Sequence, residues 1–233
     1  MCMQCFRLDR RRLLSFLAAG IVASVGAFPG SSRAAASLSP DEVLAKLKAG
    51  NQKFLSTPQL CTADIARQRS SVAKAQSPWA MILTCSDSRV APELIFGVLG
   101  LGELFVARNA GNMADTATMG TIEYGGEHLG TPFIVVLGHK SCGAVAAACD
   151  IAKQQIRLPG SIGPMVEAIV PAALSVANEP GDFVDNAVRE SARRTAAKIA
   201  DDSEIVQHLQ QDWKIKVVAA YYDLDTGVVK FLS

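Results

Sequence analysis

Short, nearly continuous apolar runs divide this chain, and each has the pattern of a strand that is buried on both faces. Three such runs lie in the middle of the sequence, at positions 79–84, 104–107 and 133–137, and two further strands are predicted near its end, at 216–222 and 228–232. Helix-compatible stretches fill much of the intervening chain, at 115–128, 142–156 and 183–200. Strands that alternate with helices predict an α/β fold in which a mostly parallel central sheet is flanked by helices.

A helix is predicted to precede this sheet. Ser39, Pro40 and Glu42 have the form of a capping box with proline at the first helical position, and apolar residues follow at mostly helical spacing. The segment 158–180 is rich in proline and glycine and is interpreted as a loop or short-helix connection. We therefore expect residues 37–233 to form a single domain.

The first 36 residues have the pattern of an export signal. A basic cluster, Arg10–Arg12, is followed by an apolar stretch at 13–28 and then by the small residues Ala34–Ala36 at a possible cleavage site. The apolar stretch is shorter than the roughly 20 residues that a membrane-spanning helix needs. We expect a cleaved signal, of the twin-arginine type or of the general secretion type, and a periplasmic or secreted protein without stable membrane insertion.

Composition and charge narrow the class of function. The chain has 233 residues, of which 49% are hydrophobic, and this is enough for one sizeable core. Its formal net charge is +1, and after position 36 the basic residues are not gathered into runs, so no nucleic-acid surface is predicted. We expect a small-molecule partner.

Three residues have the chemistry and the placement of a metal site. Cys85 and His139 each follow directly on a predicted strand, and Cys142 lies three positions beyond His139, where the next helix should begin. Because the carboxyl ends of parallel strands share one sheet edge, the side chains meet if the two strands are neighbours. Two thiolates and one imidazole suit zinc, and three protein ligands leave a fourth position open for catalysis. Buried free cysteines or a disulfide are the alternatives from spacing alone.

Two cysteines remain unassigned in the exported chain. Cys61 and Cys149 can form a disulfide, stay as buried thiols or lie apart, and the sequence does not choose between these states.

Asp87 and Arg89 follow the first of these cysteines closely. Their spacing allows a charge-assisted pair that directs the carboxylate toward metal-bound solvent. The alternative is a polar turn with a surface salt bridge of little energetic value.

The two short segments that contain these residues, Cys-Ser-Asp-Ser-Arg at 85–89 and His-Lys-Ser-Cys-Gly at 139–143, resemble the two signature motifs of the β-carbonic anhydrases. The resemblance continues at 47–54 and 221–227. It implies one zinc ion per chain, held by Cys85, His139 and Cys142, and a catalytic pair formed by Asp87 and Arg89. In some members of the family the aspartate becomes a fourth zinc ligand in a closed, inactive state.

The resemblance also implies a substrate pocket. Gln76, Phe105, Tyr124 and Gly143 are similar to the substrate-binding residues of the plant-like subgroup of that family. Ile82 stands where the other subgroup has the tryptophan of a bicarbonate site, and this favours the plant-like form with an open site. Ordinary core packing is the alternative for the two aromatic residues, and a surface loop position is the alternative for Gln76.

The activity that the resemblance implies is the reversible hydration of carbon dioxide to bicarbonate and a proton, by attack of zinc-bound hydroxide. It further implies an N-terminal helical arm and a homodimer or homotetramer. A hydrolase of carbonyl sulfide or carbon disulfide on the same fold is one alternative. An exported zinc-binding protein without catalysis is another, although it has no need for Asp87, Arg89 and Gln76 together.

Overall fold

The structure is a computed structural model that describes residues 38–57, 65–98, 100–154 and 156–232, which belong to one compact unit. The predicted export signal at 1–36 and Cys61 lie outside the described residues, so those assignments stay predictions. Within the part of the chain that is described, no helix combines the length and the apolar character that crossing a bilayer requires.

The first helix, α1, spans Pro40–Ser56, as the capping box predicts. The Ser39 hydroxyl accepts the backbone N–H of Glu42, and the Glu42 carboxylate accepts the backbone N–H of Ser39 at 2.8 Å. These reciprocal bonds satisfy amides that the first turn leaves without partners. A short helix, α2, follows at Ile65–Val72.

The central sheet has five strands in the order β2-β1-β3-β4-β5. Its strands are β1 at Ala80–Cys85, β2 at Leu104–Asn109, β3 at Phe133–His139, β4 at Lys216–Tyr222 and β5 at Val229–Leu232. The first four are parallel, and β5 is antiparallel to β4. The α/β fold class is thereby confirmed, and β1 and β3 are direct neighbours, as a shared metal site requires.

The remaining helices lie between and beside these strands. They are α3 at Pro92–Ile95, α4 at Thr116–Glu127, α5 at Gly143–Gln154, α6 at Ile162–Glu167, α7 at Val170–Ser175, α8 at Phe183–Asp202 and α9 at Glu204–Gln211. The short helices α6 and α7 confirm the short-helix connection predicted at 158–180. Helix α9 begins where α8 ends, because Ser203 adopts an extended conformation that ends α8 and its hydroxyl accepts the Val206 N–H to begin a new helix.

Alternate residues of the central strands build two separate cores. Val135 and Leu137 of β3 pack on one face of the sheet with Leu47 of α1, whereas Ile134 and Val136 pack on the other face with residues of α8 and α9. Every residue of β1 and β3 is buried. This burial on both faces explains the continuous apolar runs in the sequence.

Asn51 ties the first helix to the last strands. It is 3% exposed, its side-chain amide donates to the carbonyl groups of Ile95 and Gly227, and its amide oxygen accepts the N–H of Val229 at 3.0 Å. The turn between β4 and β5 is therefore fixed from α1, close to the sheet edge where β3 ends.

Candidate active site

The metal site lies at the carboxyl edge of the sheet, where β1 ends at Cys85 and the adjacent β3 ends at His139. Ser141 has a left-handed backbone, with φ of 55°, which costs an L-residue about 1–2 kcal/mol and turns the chain back sharply. This turn brings Cys142 back to the sheet edge, next to Cys85 and His139. The ligand atoms of the three predicted residues all lie within 4.8 Å of one another, and all three residues are buried.

The His139 ring is already oriented as a metal ligand. Its Nδ1 lies 2.9 Å from the Lys140 carbonyl oxygen, which can only accept, so Nδ1 carries the proton and Nε2 has a free lone pair. Nε2 is buried and has no hydrogen-bond partner. Leaving such an atom unpaired costs about 1–3 kcal/mol, and a metal ion at this position removes that cost.

The two cysteines share one proton across a sulfur–sulfur distance of 4.0 Å. The hydrogen bond from Cys142 lowers the pKa of Cys85 to about 4, with further help from the backbone N–H of Gly111. Donation to Cys85, together with burial, raises the pKa of Cys142. A coordinated divalent ion replaces this proton, because coordination deprotonates thiols outright.

Helix α5 prepares Cys142 to carry negative charge. The residue immediately precedes the first turn of the helix, and the nearby backbone N–H groups of Ala144 and Val145 act to lower the pKa of its thiol, against the larger effects of Cys85 and burial. A helix N-terminus favours the thiolate form of cysteine. The donor set of two thiolates and one imidazole, with a fourth direction left open, therefore fits a catalytic transition-metal ion such as zinc.

Asp87 and Arg89 form the predicted pair. The Arg89 Nε donates to Asp87 Oδ1 at 2.9 Å and its Nη2 donates to Oδ2 at 2.7 Å, while the backbone N–H of Arg89 also donates to Oδ1. These bonds hold the pKa of the Asp87 carboxyl well below its usual range. The carboxylate is engaged with Arg89, and its Oδ2 lies 3.9 Å from His139 Nε2, facing the ligand group.

The end of β2 is part of the site, although sequence reasoning did not single it out. The Gly111 N–H donates to the Cys85 sulfur, and the Asn109 carbonyl accepts the N–H of Ser86 at 3.1 Å. The Arg108 guanidinium bonds the carbonyl oxygens of Cys85 and Asp87. One signal was available: the polar residues Arg108, Asn109 and Asn112 follow a predicted strand, as Cys85 and His139 do.

Comparison with known proteins agrees with this site. A family model described as "Carbonic anhydrase" matches residues 80–229. Carbonic anhydrase 2 of Mycobacterium tuberculosis H37Rv is 35% identical over 181 residues, which are 78% of this chain and 87% of that protein. The chain belongs to the carbonic anhydrase family. A carbonic anhydrase of Mycolicibacterium smegmatis is 34% identical over 187 residues, covering 80% of this chain and 90% of its own.

Solved structures assign this carbonic anhydrase family member to the β class. The β-carbonic anhydrase CcaA is 26% identical, with a TM-score of 0.61 and coverage of 82% of this chain and 95% of that one. A Coccomyxa β-carbonic anhydrase in complex with acetazolamide is also 26% identical, with a TM-score of 0.61 and coverage of 81% and 86%. A tetrameric β-carbonic anhydrase of Sordaria macrospora shares the fold at 24% identity, with a TM-score of 0.62 and coverage of 83% and 96%.

The four predicted pocket residues of this carbonic anhydrase chain fall into two groups. Gly143 follows Cys142 at the start of α5, is exposed, and has open space beside its Cα. Gln76 is exposed and lies in the segment that precedes the amino end of β1, whereas Cys85 is the last residue of that strand. Phe105 pairs with Met81 near that same end, and its ring lies 6.2 Å from the half-exposed ring of Tyr124. One chain therefore does not bring Gln76, Phe105 and Tyr124 to its own metal site.

We predict that metal binding depends on one particular histidine. His139→Gln should lower zinc affinity by more than about 100-fold, because removal of a direct ligand costs more than removal of an outer partner. The matched control is His128→Gln, since His128 is exposed at the end of α4 and stacks on Tyr124. Competition with a chromophoric chelator measures both affinities. Equal affinities in the two variants would show that the metal is held elsewhere.

Proposed function

We propose that this chain catalyses the reversible hydration of carbon dioxide to bicarbonate and a proton, with one zinc ion held by Cys85, His139 and Cys142. The observation that carries this proposal is the buried, unpartnered Nε2 of His139, which lies beside two thiols and 3.9 Å from a carboxylate fixed by Arg89. The relatives named carbonic anhydrase support the choice of substrate. When bound, zinc would supply a Lewis acid that makes water nucleophilic near neutral pH.

Asp87 orients the reacting water. Its depressed pKa keeps the carboxylate ionised at neutral pH and makes it a weak proton acceptor, so its contribution is to accept a hydrogen bond and to fix a lone-pair direction. Arg89 locks the carboxylate in place through two parallel side-chain bonds. In this arrangement the Asp87 carboxylate binds Arg89 and is not a fourth metal ligand. This corresponds to the open form of the site.

A second copy of the chain would complete the pocket. Gln76, Phe105 and Tyr124 lie at the amino edge of the sheet, whereas the metal ligands lie at the carboxyl edge. If all of them act on one substrate molecule, the first group must come from a partner subunit. The half-exposed Tyr124, at 47%, has a surface that a partner can cover. We therefore propose a homodimer, or a homotetramer built from dimers.

Two other functions use the same metal site. A carbonyl sulfide or carbon disulfide hydrolase would release sulfide from those substrates faster than it hydrates carbon dioxide. A non-catalytic zinc-binding protein would have no use for the Asp87–Arg89 pair, so the fixed carboxylate favours an enzyme.

The proposed role of Asp87 predicts a loss of turnover without a loss of metal. Asp87→Asn should lower the turnover number for carbon dioxide hydration by about 100-fold or more, because the amide cannot accept both Arg89 bonds and also orient the water. Stopped-flow hydration and metal content, measured on the same preparation, test this expectation.

The matched control is Asp212→Asn, which removes an exposed carboxylate at the end of α9 that pairs with Lys214 at 2.8 Å and lies 4.0 Å from His208 Nε2. It should leave turnover unchanged. Full turnover in Asp87→Asn would remove Asp87 from the mechanism, and equal losses in both variants would point to a general effect of charge.

The shared pocket predicts complementation between two inactive variants. In a dimer of Asp87→Asn with the double variant Gln76→Ala/Tyr124→Ala, one site carries both defects and the other carries neither. Random mixing during co-expression should restore about a quarter of wild-type activity. Each variant expressed alone provides the baseline. Activity no higher than that baseline would place each pocket within a single chain.

A further inference from the structure

Arg108 makes an unusual pair of contacts at the carboxyl end of β2. It lies opposite Thr84 in the parallel register of β1 and β2, one position before the sheet edge. Its Nε donates to the carbonyl oxygen of Cys85 at 3.0 Å, and its Nη2 donates to the carbonyl oxygen of Asp87 at 2.7 Å. A single side chain thus holds the backbone on both sides of Ser86.

The backbone held in this way carries two parts of the site. Cys85 provides a metal-binding sulfur, and Asp87 provides the carboxylate that faces the ligand group. Two neighbouring bonds complete the segment: Ser86 N–H donates to the Asn109 carbonyl at 3.1 Å, and Val90 N–H donates to the Asp87 carbonyl at 3.0 Å. Among the side chains that the structure describes, Arg108 is the one that hydrogen-bonds to the carbonyl groups of both functional residues.

Two different arginines therefore hold Asp87, one at its side chain and the other at its main chain. Arg89 binds its carboxylate, whereas Arg108 binds its main-chain oxygen. Arg89 lies on the same turn as Asp87 and sets the direction of the carboxylate, and its Nη2 also lies 3.5 Å from the carbonyl oxygen of Ser141. Arg108 belongs to the sheet and connects the turn to a rigid element.

We propose that Arg108 is a positioning residue that sets the separation between the first sulfur ligand and the Asp87 carboxylate. The planar guanidinium can place two N–H groups on two carbonyl oxygens at once, and these bonds are charge-assisted. A lysine ammonium is a point charge on a flexible stem, so it does not reproduce this two-point contact. The role in turnover rests on the proposed hydration activity, whereas the role in metal geometry does not.

The test compares Arg108→Lys and Arg108→Gln with the control Arg194→Lys. Arg194 is an exposed α8 residue whose Nε pairs with Glu190 at 2.8 Å, far from the site in sequence and on another element. The measurements are the visible absorption spectrum of the cobalt(II)-loaded protein, cobalt affinity, the turnover number for carbon dioxide hydration, and the thermal midpoint.

We expect both Arg108 variants to shift the cobalt spectrum and to lose about 10–100-fold in metal affinity or turnover, as removal of an outer partner of a metal site typically does. Their thermal midpoints should stay within about 4 °C of wild type, the shift that about 1 kcal/mol produces in a chain of this size. The Arg194 control should match wild type in every measurement.

Several results would overturn the proposal. A wild-type cobalt spectrum with wild-type turnover in Arg108→Lys would show that charge alone suffices, and the same result in Arg108→Gln would remove Arg108 from the site. A lowered midpoint with normal turnover per bound metal would reduce Arg108 to a structural role. If the wild-type protein does not hydrate carbon dioxide, the proposed function fails, and the cobalt spectra and affinities still decide the role of Arg108.

Discussion

Parallel pairing between β1 and β3 is the interaction on which the site depends. It places the last residues of the two strands, Cys85 and His139, at one edge of the sheet, although 53 residues separate them in the chain. Both strands are buried on both faces, so neither can slide without moving a complete set of apolar side chains out of the core. The positions of the metal ligands are thereby fixed by the packing of the two cores.

Around this edge, each ligand is oriented by a main-chain group. The Lys140 carbonyl selects the His139 tautomer, the amino end of α5 faces the Cys142 sulfur, and the Gly111 N–H faces the Cys85 sulfur. Backbone groups are fixed when the fold forms, so the site is organised before any ion arrives. Nε2 of His139 is buried without a hydrogen-bond partner between the two sulfur ligands and Asp87, and it is the group that an ion would complete.

The sequence predicts the parts of this structure that follow from periodicity and chemistry. Apolar runs predicted all five strands, the capping box predicted α1, and the placement of Cys85 and His139 after two strands predicted the metal site. The boundary between α8 and α9 escaped prediction because a single residue, Ser203, ends one helix and caps the next. The contacts of Arg108 escaped because they join a side chain to main-chain oxygens at the end of another strand and in the turn after it, and the polar residues near 108 do not reveal their partners in the sequence.

The separation of the pocket residues also depends on the three-dimensional structure. The family resemblance groups Gln76, Phe105 and Tyr124 with the metal ligands, whereas the sheet places the two groups at opposite edges of one chain. The order of these residues along the chain does not reveal this separation, because they lie on β1, β2 or β3, on the segments next to these strands, or on α4. The positions of these residues in the fold therefore support the proposal that two subunits form one pocket.

The most direct test of this account is stopped-flow hydration of carbon dioxide by the purified wild-type protein, with zinc content determined on the same sample. The account predicts fast hydration together with about one zinc ion per chain. Full zinc occupancy without hydration would contradict it, and release of sulfide from carbonyl sulfide or carbon disulfide by that same sample would then identify the substrate.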